Sequence, residues 1–503
     1  MKLKIISVFL IAFMLLAPVL SACGGASGTT TTPGALDTQP KTETDPNSVW
    51  DLPVHNLQGH DFLFLVRTTS HKQLDTFEIA AEDVTGDKIN DAVFKRNSIL
   101  QEKYNCTVSE ERTENILTTC REALLAGDYV WDVIYGGFHV MRSLSSSNLL
   151  VDLAQLDNIQ LQKNWWDHNL AEEMTIHGHT FYAAGDGDTL DDRSAVIVFV
   201  NLDILEINRQ PNPYEMVKSG NWTIQNMYEI GEACWEDADG DGIFSAKSND
   251  IAAQISGNDV NWLYLVGCGF DLSERTSSGE YRLPATLSED MLSCWQELKG
   301  LITSPHRDLI DNGANFRMQH AAYFVCDIAV ALNWSNASHN FGIIPMPKRN
   351  AEQENYYCPF FSGWYSSFAI PTTVDKGTDY QAAGFESGSE MVAYFLNAFS
   401  YESTDTVKVA FYDEVMKKQS VRDAETVEMI DIALANKLYD PVAIYDFGGL
   451  RDVFRDVGGQ GSVGDDLDFD NVVSKYRERL EAARKALTNY LDYIDVQEED
   501  ETI

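Results

Sequence analysis

Phe62-Leu63-Phe64-Leu65-Val66 is an uninterrupted apolar run of strand length, and the stretch from it to Tyr135 decides the fold. Ile89, Val93, Leu100 and Tyr104 recur at helical spacing and place one apolar stripe on a helix. Cys106-Thr107-Val108 predicts a second strand. A second stripe, Ile116, Cys120 and Leu124, is closed by Gly127 at the position where helix ends favour a left-handed residue. Residues 130–135 then predict a third strand. The order β-α-β-α-β implies a parallel sheet with right-handed crossovers, so the class is α/β.

Downstream the helices stay legible. Met291, Trp295, Leu298 and Ile302 share one face, 391–399 is an apolar helical run, and Asp423 is placed to cap a helix over 424–436. Val473, Tyr476, Leu480, Ala483, Leu487 and Leu491 predict a last long helix, followed by a frayed acidic tail at 498–503. Length alone would suggest about three domains at ~150 residues each. No internal repeat and no linker interrupts 52–492, which argues for one compact body.

Upstream of that body the chain is of another kind. Lys2 and Lys4 precede an apolar run over 5–20 that ends in Leu20-Ser21-Ala22-Cys23-Gly24-Gly25. This resembles a bacterial lipoprotein signal, with 1–22 removed and Cys23 left to carry lipid. The run is short for a membrane span, which needs ~20 residues, and Pro18 interrupts it. Residues 23–51 form a flexible stalk, rich in Gly, Ser, Thr and Pro and too poor in apolar residues to order itself. The expected location is the outer face of the cytoplasmic membrane, anchored through Cys23.

Lys and Arg total 37 against 77 Asp and Glu, a formal charge of −40. Such a surface repels phosphates and anionic headgroups, which excludes nucleic acid as a partner. Of eight cysteines, seven remain after Cys23, an odd and scattered set without a CxxC. That argues against a disulfide framework or a zinc site and for buried free thiols. There is no G-x-S-x-G elbow, no H-E-x-x-H and no glycine-rich phosphate loop. His177 and His179 flank Gly178, which reads as a turn rather than a metal site. A glycoside hydrolase needs only two carboxylates held roughly 5 to 9.5 Å apart, so a surface-anchored hydrolase stays as the alternative.

Several segments together carry a family resemblance. They are Ile89-Asn90-Asp91-Ala92-Val93 with Arg96-Asn97, Leu149-Leu150-Val151-Asp152-Leu153, Trp165-Trp166-Asp167, Asn221-Trp222-Thr223, the loop at Asp237, Phe341-Gly342-Ile343-Ile344-Pro345-Met346-Pro347-Lys348, and Phe368-Ala369-Ile370-Pro371. In this order they resemble the extracellular solute-binding proteins, family 1, that feed carbohydrate ABC importers, similar to maltose-binding protein. The resemblance implies a two-lobed periplasmic-binding-protein fold of type II. The first lobe would hold 52–194 plus 367–400, and the second 195–366 plus 401–503, with hinge strands between them. It also implies a monomer that performs no chemistry, closes on a carbohydrate, expected to be an oligosaccharide, and delivers it to the permease subunits of an importer. A binder of peptides or of another polar solute is the further alternative.

A sugar site needs flat aromatic platforms and a few fixed polar partners. Trp364 and Tyr365 lie in Ser362-Gly363-Trp364-Tyr365, just before the strand expected at 366–370. Trp334 follows an apolar strand and is similar to the family's second-lobe aromatic. Trp165 and Trp166 are adjacent, so one of them, taken here as Trp166, can face the cleft. Trp222, Trp235 and Trp295 are expected to pack. Arg67 and His139 sit at the carboxyl ends of parallel strands, where open α/β sheets place ligands. Asp186 and Asp188, with Asp191, Asp192 and Arg193 close by, could accept sugar hydroxyl protons.

Separate chemistry is written in Asp237-Ala238-Asp239-Gly240-Asp241-Gly242-Ile243-Phe244-Ser245. Carboxylates at loop positions 1, 3 and 5, Gly at 6, the Ile243 carbonyl at 7 and Ser245 at 9 match the first half of an EF-hand calcium loop. Position 12 is Ser248 in place of the bidentate Glu, and Asp250 is the candidate substitute. No cofactor is required, and a structural calcium ion is the single metal expected.

Overall fold

A computed structural model of the protein describes residues 45–70, 74–257, 259–276, 280–309, 313–334, 339–377, 379–418, 424–455 and 469–500. Cys23, the lipid-signal residues and most of the proposed stalk lie outside the described residues, as does Asp423. No described helix is long and apolar enough to cross a membrane.

The first sheet grows from the stretch that decides the fold. β1 (His60–Arg67), β2 (Cys106–Thr113) and β3 (Val133–Gly136) are parallel, and β1 is central, pairing with both others. Helix α1 (Lys88–Tyr104) joins β1 to β2. Asp87 caps it by accepting from the Ile89 and Asn90 amides, and its buried stripe includes Ile89, Val93, Leu100 and Tyr104. Helix α2 (Ile116–Ala126) joins β2 to β3 and ends at Gly127 with φ 75°, the left-handed residue that closes it. Helix α3 (Phe138–Ser145) follows β3 directly. The third strand starts at Val133, later than the apolar run, because the Asp132 carboxylate turns inward to accept from the Leu63 amide and the Tyr129 hydroxyl.

The second sheet begins with β4 (Val196–Asn201), buried along its whole length, and adds β5 (Ala252–Ser256). A small hairpin, β6 (Glu274–Arg275) with β7 (Tyr281–Arg282), stands apart. β8 (Arg307–Asp308), β9 (Ala321–Asp327) and β10 (Phe341–Ile344) complete the second sheet in the order β10-β4-β9-β5-β8. β5 is parallel to β8 and β9, whereas β4 runs antiparallel to both its neighbours. The chain then returns, and β11 (Ser367–Ala369) pairs antiparallel with β3, so the first sheet reads β11-β3-β1-β2. The protein is thus a two-lobed α/β fold in which each lobe's sheet receives an antiparallel strand from a crossing.

Two segments sit differently from the sequence-based division. Residues 46–51, expected in the stalk, are packed on the body: Lys163 donates to the Pro46 and Val49 carbonyls, and Trp50 stacks on Trp165 with centroids 6.1 Å apart. A buried ammonium and an aromatic partner supply what the composition of the stalk lacks. Nor does residue 400 mark a change of lobe. Helix α4 (Gly388–Ser403) runs through a wide turn at Thr404–Lys408 into helix α5 (Val409–Lys418). Val407 and Ala410 pack with Ile89 and Val93 of the first lobe, and Phe411 joins the second-lobe core around Phe199. The last helix, α6 (Phe469–Asp500), also touches both lobes, through Tyr490 on Ser145 and the Tyr476 hydroxyl on the Pro284 carbonyl.

Candidate functional site

The crossing segments lie side by side. Ala195 bridges Phe360 antiparallel, and Cys358 bridges Lys437 parallel. Successive residues of the last segment face different spaces: Lys437 lines a polar cavity and Leu438 an aromatic one.

The aromatic cavity has a volume of about 380 Å³, within the range of small-ligand sites. One wall is built where β5 ends. Asp259 lies just beyond that strand, and the helix Val260–Gly267 that comes next aims Trp262 at the cavity. Facing it is the second crossing, 359–364, with Trp364 half-buried. Arg67, at the end of β1, fixes this turn by donating to the Gly363 carbonyl at 2.9 Å and the Trp364 carbonyl at 3.0 Å. Arg451 enters from the C-terminal region and donates to Ser362 Oγ at 2.9 Å. Asp440 and Asp271 complete the polar lining. Asp440 also organises its surroundings, accepting from the Val442 and Ser273 amides and the Ser273 hydroxyl. The arrangement offers stacking surfaces and hydrogen-bonding side chains within one enclosure, which suits a polyhydroxylated ligand with apolar faces.

The polar cavity, about 390 Å³, is a nest of charge on the other side of the last crossing segment. Lys437 Nζ lies 2.9 Å from Asp191, 2.8 Å from Asp192 and 3.4 Å from Asp167. Lys408 lies 2.8 Å from Asp186. Burial pushes Asp191 up to about 7, against the pull of Lys437. For Asp192 burial acts the same way, but the Lys437 and Lys408 ammonium groups outweigh it and hold the carboxyl below its ordinary range. These groups bind one another, so this cavity ties crossing segments together.

The residues proposed from sequence are therefore separated. Trp364 lines the aromatic cavity, and Arg67 positions the turn that carries it. His139 is exposed beside Gly137, near the Arg67 guanidinium. Tyr365 is fully buried: its hydroxyl bonds that of Tyr439 at 2.9 Å, and its ring stacks on Phe138. Trp334 is a core residue, only 2% exposed and surrounded by Phe199, Phe316 and Phe341, because the turn Ile328–Asn333 folds it back onto the sheet. Trp166 is nearly buried, donates its indole N–H to Asn397 Oδ1 at 2.9 Å and touches the polar cavity. Asp186 is engaged by Lys408 and the Thr404 hydroxyl, and Asp188 is buried near Tyr135. Trp222, 0% exposed, packs as expected and donates to the Pro345 carbonyl. Trp262, Asp259, Asp271 and Arg451 escape the sequence reading. The strand-end argument that singles out Arg67 applies equally at the end of β5, but that strand has no long apolar run to mark it in the sequence.

In the loop at Asp237, carboxylate oxygens of Asp237, Asp239 and Asp250 come within 4.8 Å of one another. Asp250 is fully buried and accepts from the Ala238 amide at 2.9 Å and the Ser245 amide at 2.7 Å. Asp241 accepts from the Ile243 amide at 2.8 Å and does not join the three, and the Ile243 side chain is exposed. Three carboxylates converging in this way are hard oxygen donors of the kind calcium takes, and supply three of the roughly six to eight ligands it needs.

No family model and no curated protein matches the chain. Among solved structures, UgpB from Mycobacterium tuberculosis in complex with glycerophosphocholine is similar at a TM-score of 0.53 and 14% identity, covering 84% of this chain and 97% of that one. The chain shares the fold of that protein. The substrate-binding protein Lmo0181 from Listeria monocytogenes, in complex with cycloalternan, matches at a TM-score of 0.48 and 10% identity over 87% of this chain and 99% of that one.

Proposed function

We propose that this protein is a lipid-anchored extracellular receptor that captures a carbohydrate and delivers it to an ABC permease. The observation that carries the reading is the aromatic cavity beside the crossing segments, with Trp364 and Trp262 as walls and Asp259, Asp271 and Arg451 as polar partners. Its size suits a short saccharide, and a two-lobed fold with several crossings suits capture by hinge closure. The anchor is supported by Leu20-Ser21-Ala22-Cys23 and the stalk after it. The protein catalyses nothing in this reading. A calcium ion at Asp237, Asp239 and Asp250 would fix its loop and take no part in capture, since none of the three residues lines the cavity.

The test is a thermal-shift screen of the purified protein against mono- and oligosaccharides, with amino acids and short peptides as controls, followed by long incubation of any binder. A ligand at 100 times its Kd stabilises by about 2.7 kcal/mol, well within detection. The expected result is a saturable rise with one sugar class, no turnover of that sugar, and loss of the rise in Trp364→Ala. Turnover would establish the hydrolase alternative, and a rise with peptides alone would overturn the sugar assignment.

A further inference from the structure

The charge around the aromatic cavity is lopsided. Among the described residues, three carboxylates, those of Asp259, Asp271 and Asp440, line it against one guanidinium, Arg451. That cation is already answered by protein groups. It donates to Ser362 Oγ at 2.9 Å and has the Asp446 and Asp452 carboxylates 3.8 Å and 3.9 Å away. Asp440 is held in place by amide and hydroxyl donors and cannot turn away from a ligand. Behind the wall stands Glu173, which accepts from the Tyr439 amide next to Asp440. Burial is the first cause that pushes Glu173 up to about 7, and the nearby carboxylates of Asp167, Glu172 and Asp440 add a negative field to it. A ligand anion entering the cavity would meet the same field, while the chain as a whole carries −40.

We infer that the cavity admits neutral or aminated saccharides and discriminates against acidic ones, whether uronic or phosphorylated. Charge is selected by the wall formed by Asp259, Asp271 and Asp440, while the aromatic residues hold the sugar's apolar faces irrespective of charge. This rests on the receptor reading and deepens it. At least a tenfold preference is expected, equivalent to about 1.4 kcal/mol.

The experiment uses the intact protein in detergent and three oligosaccharide pools: neutral (cello-, malto-, xylo- and manno-oligosaccharides), aminated (chitosan oligosaccharides) and acidic (oligogalacturonides). Dissociation constants are read by calorimetry at low and at high salt. The expected result is binding in the neutral or the aminated pool and at least tenfold weaker binding of the acidic pool, with the gap narrowing in the double variant Asp259→Asn, Asp271→Asn and at high salt. Both residues are exposed, so the variant should fold. Acidic oligosaccharides binding as tightly as neutral ones would overturn the charge selection and leave the receptor standing. Peptide binding with no response to any pool would overturn the receptor reading and the selection with it.

Discussion

The two lobes are built on one strand order and closed by different means. Counting outward from the first crossover unit, both sheets place a parallel second strand, the first, the third, and then an antiparallel strand contributed by a crossing: β2-β1-β3-β11 in one lobe and β8-β5-β9-β4 in the other, with β10 added at the edge. The first lobe covers its sheet with helix α4, which begins more than 300 residues after β1 ends. Phe395 of that helix lies parallel on Phe62 at 3.7 Å, and Phe399 lies under the Arg96 guanidinium at 3.8 Å. The second lobe draws its sheet from residues closer in sequence. Each lobe also buries an arginine against carbonyl oxygens, and the partners repeat the contrast. Arg96 joins the Glu78, Ile79 and Gly187 carbonyls and the Ser403 hydroxyl. Arg307 joins Ser256, Gly257 and Ile302, all within 51 residues. A lobe assembled from distant pieces needs a polar hub that recognises several of them, whereas a lobe assembled locally can do with less.

The largest effect should come from breaking that hub. Arg96→Met would leave three buried carbonyls without a donor, at about 1–3 kcal/mol each, so a loss of several kcal/mol is expected in urea unfolding. Arg307→Met should cost less, because Gly257 is exposed and water can replace the lost donor. Equal losses, or the reverse ranking, would break the contrast between the lobes.

The tryptophans sharpen it next. Trp334 fills the second-lobe core, so Trp334→Ala should destabilise by about 3–5 kcal/mol yet leave ligand affinity intact in the protein that remains folded. Trp364 is half-buried in the turn held by Arg67. Trp364→Ala should cost little stability, but weaken the bound saccharide about tenfold, roughly 1.4 kcal/mol. Unfolding curves and calorimetry on the same two variants give both numbers, and a loss of affinity in Trp334→Ala that exceeds its unfolded fraction would return that residue to the cleft.

The first lobe is legible in the sequence because β1 and β3 are apolar runs and its helices carry single stripes: Ile89 to Tyr104 and Ile116 to Leu124 need no tertiary knowledge, whereas the polar half of β2, Ser109 to Thr113, is held only by its pairing with β1. β5 is not legible, since Ala-Ala-Gln-Ile-Ser has no long apolar run. Its Gln254 is only 2% exposed, and it is satisfied by the Leu301 carbonyl and the Tyr264 hydroxyl, partners that only the folded chain supplies. With β5 unseen, the wall carrying Asp259 and Trp262 is unseen too. The acidic run at 186–192 shows the converse: its composition suggests sugar acceptors, but Lys437, some 246 residues beyond Asp191, arrives to pair with it. Polar residues declare a chemistry in sequence, and their partners decide whether it is available.

The junction of the lobes should show itself in pH dependence. Glu173 of the first lobe reaches the Tyr439 amide, and burial raises its carboxyl from 4.5 to about 7. The folded state therefore holds this proton more tightly than the unfolded chain. Its contribution is fully present below about pH 4.5 and is lost as pH rises towards 7. Glu173→Gln keeps an oxygen for the Tyr439 amide and removes the titration, so its unfolding free energy should fall less over that interval than the parent's. Parallel curves for the two proteins would mean that this carboxyl titrates alike in the folded and unfolded chains.

The smallest expected effect concerns a feature that one lobe has alone. The loop at Asp237 has no counterpart among the described residues of the first lobe, and its backbone is already held by Asp250, so calcium would tighten a formed turn and leave the rest of the lobe unchanged. A rise in melting temperature of roughly 2 °C is expected, since about 1 kcal/mol shifts a large body by no more than a few degrees. Asp250→Ala is the wrong probe, because it strips donors at Ala238 and Ser245 of their acceptor whether or not an ion binds. Asp239→Asn is the right one: the residue is exposed, and its substitution takes away a ligand charge while leaving the Asp250 bonds in place. The variant should match the parent without calcium and lose the calcium-dependent rise. A parent that is indifferent to calcium would show that three converging carboxylates here serve the turn alone, and that the loop differs from the lobe's other turns only in its charge.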